Sequence, residues 1–304
     1  MDLKTNFAGI RLGNPTVLAS GILGTTAELM LRVVKEGGAG AVTTKSIGPI
    51  EKDGYANPTV IEWEHGLINA VGLPSPGYKN LGEELSALAK CNIPVIASVY
   101  ANSVEEYADI AAFVAQHKPA MIELNMSCPH SKGQGQPFGV DCAVAAEVVS
   151  AVKKVSAGIP IMPKLTPQAM NIAAIASACE KAGADAICAI NTLGPGMLID
   201  AQARKPLLAN KFGGLSGPAI KPISLRCVYQ IYETVKIPIL GMGGINSGLD
   251  AIEFIEAGAT TVGIGSGVYY RGIDVFKKVC REMEEWMKIN KVKDLNDIRG
   301  VAHG

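Results

Sequence analysis

Lys181-Ala-Gly-Ala-Asp-Ala-Ile-Cys-Ala-Ile-Asn191 reads as the last turn of a helix, a reversal and a buried strand. Gly183 suits the left-handed position at which a helix closes before the chain turns back. The run AICAIN at 186–191 is apolar without alternation until its final residue, as a strand covered on both faces should be. The same order of parts recurs in Glu36-Gly-Gly-Ala-Gly-Ala41 and in Glu256-Ala-Gly-Ala-Thr-Thr261. Eight β-rich runs can be placed on this pattern: 16–20 (TVLAS), 41–46 (AVTTKS), 94–100 (PVIASVY), 120–126 (AMIELNM), 160–165 (PIMPKL), 186–191 (AICAIN), 238–241 (PILG) and 261–266 (TVGIGS). Helix-length segments separate them. Eight strands alternating with helices in 304 residues predict an α/β fold, a (β/α)8 TIM barrel forming a single domain over 1–304. An open doubly wound sheet often carries GxGxxG after its first strand, and Ala19-Ser-Gly-Ile-Leu-Gly24 does not fit that spacing.

Composition agrees with a large aliphatic core: 48% of residues are hydrophobic but only 5% aromatic. The 28 basic and 28 acidic residues cancel, which argues against nucleic acid as a partner. Residues 1–7 are polar, and no apolar run approaches the roughly 18 residues of a membrane span, so a cytoplasmic protein without membrane contact is expected. Seven cysteines, at 91, 128, 142, 179, 188, 227 and 280, form no CxxC pair, so neither a disulfide framework nor a metal site is predicted. Cys179, Cys188 and Cys227 sit in apolar contexts and are expected to be buried. Two long insertions, 48–79 and 193–218, follow the second and sixth strands, so they are long βα loops on the C-terminal face, where barrels build their sites. The segment 274–291 reads as a closing amphipathic helix with Val275, Val279, Met283 and Trp286 inward.

The polar residues at strand ends carry the chemistry. Gly241-Met-Gly-Gly-Ile245 and Gly263-Ile-Gly-Ser-Gly267 end strands seven and eight, and leave backbone N–H groups free for a phosphate. Lys45 and Lys164 end strands two and five. A lysine at an apolar barrel mouth is costly unless it meets an anion, so two of them suggest two anionic centres. Asn69, Asn125 and Asn191, the last followed by Thr192, could read the alternating donors and acceptors of a pyrimidine edge. Cys128 follows strand four before Pro129, in a glycine-rich loop, where a thiol can act as base or nucleophile.

These motifs, together with Asn69-Ala-Val-Gly-Leu-Pro74, Asn125-Met-Ser-Cys-Pro129, Ile190-Asn-Thr192 and Gly213-Gly-Leu-Ser-Gly-Pro-Ala-Ile-Lys-Pro222, resemble the dihydroorotate dehydrogenases over nearly the whole chain. The stretch from Met197 to Asn210 looks like the NAD-linked subclass. The resemblance implies FMN as cofactor. It implies that Cys128 takes a proton from C5 of dihydroorotate while hydride leaves C6 for flavin N5. Lys45 would meet the orotate carboxylate and lie near the flavin. Lys164 would stabilise negative charge near flavin N1. The pyrimidine would be held by Asn69, Ala70, Val71, Gly72, Leu73, Asn125, Asn191 and Thr192. FMN would be held by Ser20, Ser46, Ser98, Ile190, Gly217, Gly243, Gly244, Gly265 and Ser266, with Asn125 also in reach. The quinone-linked enzymes of this chemistry carry an extra N-terminal segment, for which a first strand near Thr16 leaves no room. The NAD-linked subclass implies a homodimer core joined to a second subunit carrying FAD and a [2Fe–2S] cluster, a heterotetramer passing electrons to NAD. No set of four clustered cysteines here could hold that cluster.

The sequence departs from the family pattern in places. His130 stands where many members have Asn, and Cys-Pro-His also occurs in dihydropyrimidine dehydrogenases, which act on uracil and thymine. Ser98 and Ser75 replace two further asparagines. A dihydropyrimidine dehydrogenase is therefore the alternative within the same chemistry, although uracil lacks the carboxylate that Lys45 would answer. From another class, a non-redox isomerase or lyase could use the same phosphate-binding glycines.

Overall fold

The computed structural model describes residues 2–90, 93–127 and 138–304. Eight parallel strands close into a barrel: β1 (Thr16–Leu18), β2 (Ala41–Thr43), β3 (Val95–Val99), β4 (Met121–Asn125), β5 (Ile161–Leu165), β6 (Ile187–Ala189), β7 (Ile239–Met242) and β8 (Thr261–Ile264). Each pairs with its neighbours in chain order, and β8 closes on β1 through Val262↔Thr16, Gly263↔Val17 and Ile264↔Leu18. All eight fall inside the runs expected from sequence apart from Met242, one residue beyond the seventh. The outer layer contains α1 (Ala27–Lys35), α2 (Gly82–Ala89), α3 (Val104–Ala115), α4 (Cys142–Val155), α5 (Ile172–Lys181), α6 (Lys221–Tyr232), α7 (Gly248–Glu256), the short α8 (Gly267–Arg271) and α9 (Val275–Ile289). Side-chain oxygens of Thr26, Ser103, Asp141, Asn171 and Ser247 cap α1, α3, α4, α5 and α7 and fix where those helices begin. No helix among the described residues is long and apolar enough to cross a membrane.

The strands are two-faced although their sequences scarcely show it. Ala97, Val99, Ile122, Leu124, Ile161 and Leu165 point toward the helices and join the large outer core. Ile96, Met121, Met162, Cys188 and Leu240 point inward as a lower apolar layer. Because both faces are covered, the period of two that would separate them is masked by apolar residues on each side. It resurfaces two residues further along, where Ser98, Glu123 and Lys164 stand inward on three adjacent strands.

Three features went beyond the sequence reading. A hairpin of Thr5–Phe7 and Ile10–Leu12 precedes the barrel, and buried Phe7 and Leu12 pack against its lower apolar layer. The two insertions are largely sheet: Leu193–Gly196, Gly213–Ser216, Gly66–Asn69 and Val60–Trp63 form one four-stranded antiparallel unit, joining segments far apart in the chain. On α9, Val275, Val279 and Met283 are buried as expected, but Trp286 is only half-buried, and Phe276 and Met287 share the inner face. A 3.6-residue period turns Met287, not Trp286, into line with Met283. Cys179, Cys188 and Cys227 are fully buried, and burial pushes each thiol pKa up, that of Cys179 to about 12.

Candidate active site

At the upper end of the barrel the polar strand ends form one connected network. Lys164 on β5 donates from Nζ to Ser20 Oγ at 3.2 Å, just past β1. The same ammonium lies 3.9 Å from Glu123 Oε2 on β4. Ser98 on β3 donates to Glu123 Oε1 at 2.7 Å, and its oxygen is 2.9 Å from Ser46 Oγ, beyond β2. Asn125 at the tip of β4 donates to Ser46 Oγ at 3.2 Å. Asn191, beyond β6, donates to Asn125 Oδ1 at 3.0 Å and to Ser127 Oγ at 2.8 Å. Asn191 Oδ1 then accepts from the Thr192 N–H at 2.8 Å. Thus the ends of β1 to β6, apart from Lys45, are linked through side chains alone.

The insertion sheet lies against this network. Asn69 donates from Nδ2 to Gly214 O at 3.2 Å. A Cβ on Gly214 would lie 2.2 Å from Thr192 Oγ1, so Asn69 and Thr192 flank the same backbone. The stretch from Ala70 to Leu73 continues from Asn69, and Leu73 O accepts from Tyr100 Oη at 3.0 Å. Ser75, standing in for the family's asparagine, ties the loop down by accepting from the N–H of Gly48 and of Gly77, each at 3.1 Å. A cavity of about 520 Å3 runs past Lys45 and Ser46 toward Val71 and Pro74. Lys45 is half-buried there, and burial draws its pKa below the usual 10.5. A cation in that state gains from an anionic ligand what it lost in hydration.

On the opposite side, β7 and β8 pair with Met242 beside Gly263, which sets their terminal turns next to each other. Among the described residues, the N–H groups of Gly243, Gly244, Gly265 and Ser266 make no backbone hydrogen bond. Gly243 and Gly244 have φ of +126° and +85°, and a Cβ on Gly243 would fall 2.1 Å from Ser224 Oγ. A Cβ on Gly244 would fall 2.8 Å from Gly217 O, so the third candidate glycine belongs to the same cradle. Open N–H groups on strained glycine turns form an anion-binding concavity. Beneath it, Lys221 bonds Asp250 at 2.7 Å and Glu253 at 2.8 Å, while Asp250 Oδ2 accepts from the N–H of Asn246 and Ser247.

Ser98 is fully buried with its hydroxyl occupied by Glu123 and Ser46, one layer below the mouth, and Ile190 is buried with its N–H on Met242 O. Cys128 and His130 lie outside the described residues. Ser127, directly before Cys128, is held by Asn191, and the Gly139 N–H bonds Met126 O at 2.9 Å. Tyr107 Oη donates to Asn125 O at 2.6 Å, which holds the end of β4 in place. Sequence reading missed Glu123 and Ser127. The one signal for Glu123 is its spacing: two residues before Asn125, it shares that residue's face of the strand.

The family model for dihydroorotate dehydrogenase matches residues 2–287. The chain belongs to the dihydroorotate dehydrogenase family. It is 48% identical to a Methanocaldococcus jannaschii protein named dihydroorotate dehydrogenase B (NAD(+)), catalytic subunit, over 99% of this chain and 98% of that one. A Pyrococcus abyssi protein of the same name is 44% identical over 99% of each chain. Family membership excludes the non-redox isomerase or lyase as the reading of the glycine cradle.

FMN is the cofactor of dihydroorotate dehydrogenases, and the residues present fit it. The glycine cradle offers N–H groups to a phosphate. The buried Lys164, with Glu123 Oε2 left without a hydrogen-bond partner beside it, offers a cation to an electron-rich ring.

Proposed function

We propose that the chain, as one catalytic domain over 1–304, oxidises dihydroorotate to orotate for pyrimidine synthesis as the catalytic subunit of an NAD-linked enzyme. The observation that carries the site assignment is the continuous side-chain network from Lys164 through Glu123, Ser98, Ser46 and Asn125 to Asn191. It joins one buried cation to a row of amides, a combination suited to an electron-rich cofactor beside a pyrimidine.

In this reading Asn69, Asn125, Asn191 and Thr192, with the backbone from Ala70 to Leu73, hold the pyrimidine edge. Lys45 meets the carboxylate, and its partial burial strengthens that contact. Cys128 removes the proton from C5. Gly217, Gly243, Gly244, Gly265 and Ser266 hold the FMN phosphate, while Ser20, Ser46, Lys164 and Ile190 line the ring and Ser98 supports them from below. When bound, FMN supplies the hydride acceptor for C6. The names of the relatives support a separate electron-transfer subunit, and the proposed assembly is a homodimer core with two partner subunits carrying FAD and [2Fe–2S], working in the cytoplasm.

The test is anaerobic bleaching of the visible flavin band on adding dihydroorotate, with dihydrouracil as comparison. Bleaching by dihydroorotate alone, lost in Cys128→Ala with flavin retained, is the expected result. Bleaching by dihydrouracil alone would move the protein to the dihydropyrimidine dehydrogenases and make His130 the informative residue. A colourless protein that takes up no FMN would sink the site assignment.

A further inference from the structure

We propose that Glu123 is a positioning residue for both halves of the site: its carboxylate holds the Lys164 ammonium on one side and fixes the direction of the hydrogen-bond chain to Asn125 and Asn191 on the other. This inference rests on the reading given above for Lys164 and the asparagines.

Its position is unusual. Glu123 is fully buried in the middle of β4, in register with Ser98 on β3. One layer lower, the inward positions of the same three adjacent strands are Ile96, Met121 and Met162, which pack without polar atoms. An apolar residue at 123 would complete that core. A buried carboxylate instead costs several kcal/mol unless a cation and hydrogen bonds compensate it. Lys164 at 3.9 Å and the Ser98 hydroxyl at 2.7 Å are those compensations, with the weakly donating Cys188 thiol beside them, and Oε2 accepts no hydrogen bond from nitrogen or oxygen. The carboxylate therefore does more than fill space.

The direction of the chain follows from what each group can do. A carboxylate only accepts, so Ser98 must donate to it. The Ser98 hydroxyl proton being used, its oxygen accepts from Ser46. The Ser46 oxygen then accepts from the amide N–H of Asn125. That leaves Asn125 Oδ1 turned to Asn191 Nδ2 and to the Ser127 N–H at 3.3 Å. The acceptor at the bottom thus sets the direction of the serine relay, and it agrees at the top with the backbone N–H groups of Ser127 and Thr192, which hold the same facing of the two asparagine amides. A neutral amide at 123 could donate or accept, and the order would be lost.

The Lys164 arm works by charge. Among the described residues Glu123 is the only carboxylate within 4 Å of the Lys164 ammonium, which otherwise has the Ser20 hydroxyl. Cys188 on β6 shares this interior. Burial pushes its thiol well up, with Lys164 pulling it down and Glu123 pushing it further up, so the thiol adds no counter-charge. Without Glu123 the ammonium keeps only the Ser20 hydroxyl to hold it in place, and a cation that turns away from this interior leaves less positive charge at this point.

The experiment uses the FMN-loaded protein and two readouts besides turnover: the dissociation constant of sulfite, whose addition to oxidised flavin is favoured by positive charge beside the ring, and that of orotate. Glu123→Gln is expected to weaken each on the order of tenfold. Adding Glu123→Gln to Lys164→Met should leave sulfite binding where Lys164→Met alone puts it. Sulfite and orotate constants within about twofold of the parent in flavin-loaded Glu123→Gln would overturn the proposal. If Glu123→Gln does not fold or retain flavin, Ser98→Ala decides, since it keeps the carboxylate and cuts the chain. Weaker orotate with unchanged sulfite supports the proposal, and any other pattern overturns it. Lys164→Met with unchanged sulfite affinity would instead show that Lys164 does not face the flavin, which overturns the underlying site reading as well.

Discussion

Gly243→Ala gives a direct measure of the proposed phosphate cradle. Gly243 has φ +126°, outside the regions open to residues with a Cβ, and holding alanine there costs about 1–3 kcal/mol. The new Cβ would stand 2.1 Å from Ser224 Oγ and 3.0 Å from Ser224 Cβ. Ser224 is fully buried and its hydroxyl donates to Ile220 O at 3.0 Å, so it cannot move aside without losing that bond, about 0.5–1.5 kcal/mol more. Together these give about 1.5–4.5 kcal/mol. The chain can escape most of it by flattening the turn after β7, but that removes the N–H groups from their concave arrangement. The cost then appears as weaker FMN binding, roughly 10-fold to 2,000-fold. Titration of flavin-free protein with FMN and thermal unfolding with and without FMN measure both parts. Gly243→Ala combined with Ser224→Ala should recover the hydroxyl's share and leave the backbone's. If Gly243→Ala binds FMN with the parent's affinity while melting normally, the cradle has been assigned to the wrong turn.

Lys45 gives a pH test. Burial lowers its pKa from 10.5, and only the protonated form can meet a carboxylate, so orotate affinity should be full below the lowered value and fall as pH rises through it, at a pH under 10.5. Lys45→Met should remove that limb from a pH series of orotate dissociation constants. Asp250 gives the acid counterpart. Burial opposes its ionisation, but Lys221 and the N–H groups of Asn246 and Ser247 outweigh burial and hold its pKa below 3.8. Its stabilisation is therefore complete above 3.8 and disappears as pH falls through the folded value. Asp250→Asn should lower stability by about 1–3 kcal/mol at neutral pH, and its thermal unfolding curve should converge on the parent's in acid.

The barrel was legible because three αβ junctions repeat one chemical device, a helix closed by glycine and followed by a short apolar run, and the other strands share that apolar run. That device is local, and local signals survive in a sequence. The insertion sheet was not legible, since Gly66–Asn69 pairs with Gly213–Ser216 nearly 150 positions away, as Asn69 and Gly214 show. Short strands of glycine and mixed residues carry no period that announces such a partner. The inner face of Thr5–Phe7 and Ile10–Leu12 was hidden for a related reason: three-residue strands are too short for alternation to show which side is buried.

The site divides along the same line. Lys45, Asn125, Lys164 and Asn191 could be nominated because a polar residue ending an apolar strand breaks a pattern. Ser20 and Ser46 came forward only by resemblance, because a serine after a strand is also ordinary turn chemistry. Glu123 escaped both routes. It sits inside a strand, where the expectation of an apolar core discourages any polar assignment, and its partners Ser98 and Lys164 come from other strands. A carboxylate at that depth is tolerable only when three strands bring a hydroxyl, an ammonium and an amide chain to it at once. The sequence holds those groups far apart; only closure of the barrel brings Ser98, Glu123 and Lys164 together from neighbouring strands. The residue hardest to read from sequence is thus the one that most depends on the fold being closed, which makes Glu123→Gln the sharper test of how this barrel organises its chemistry.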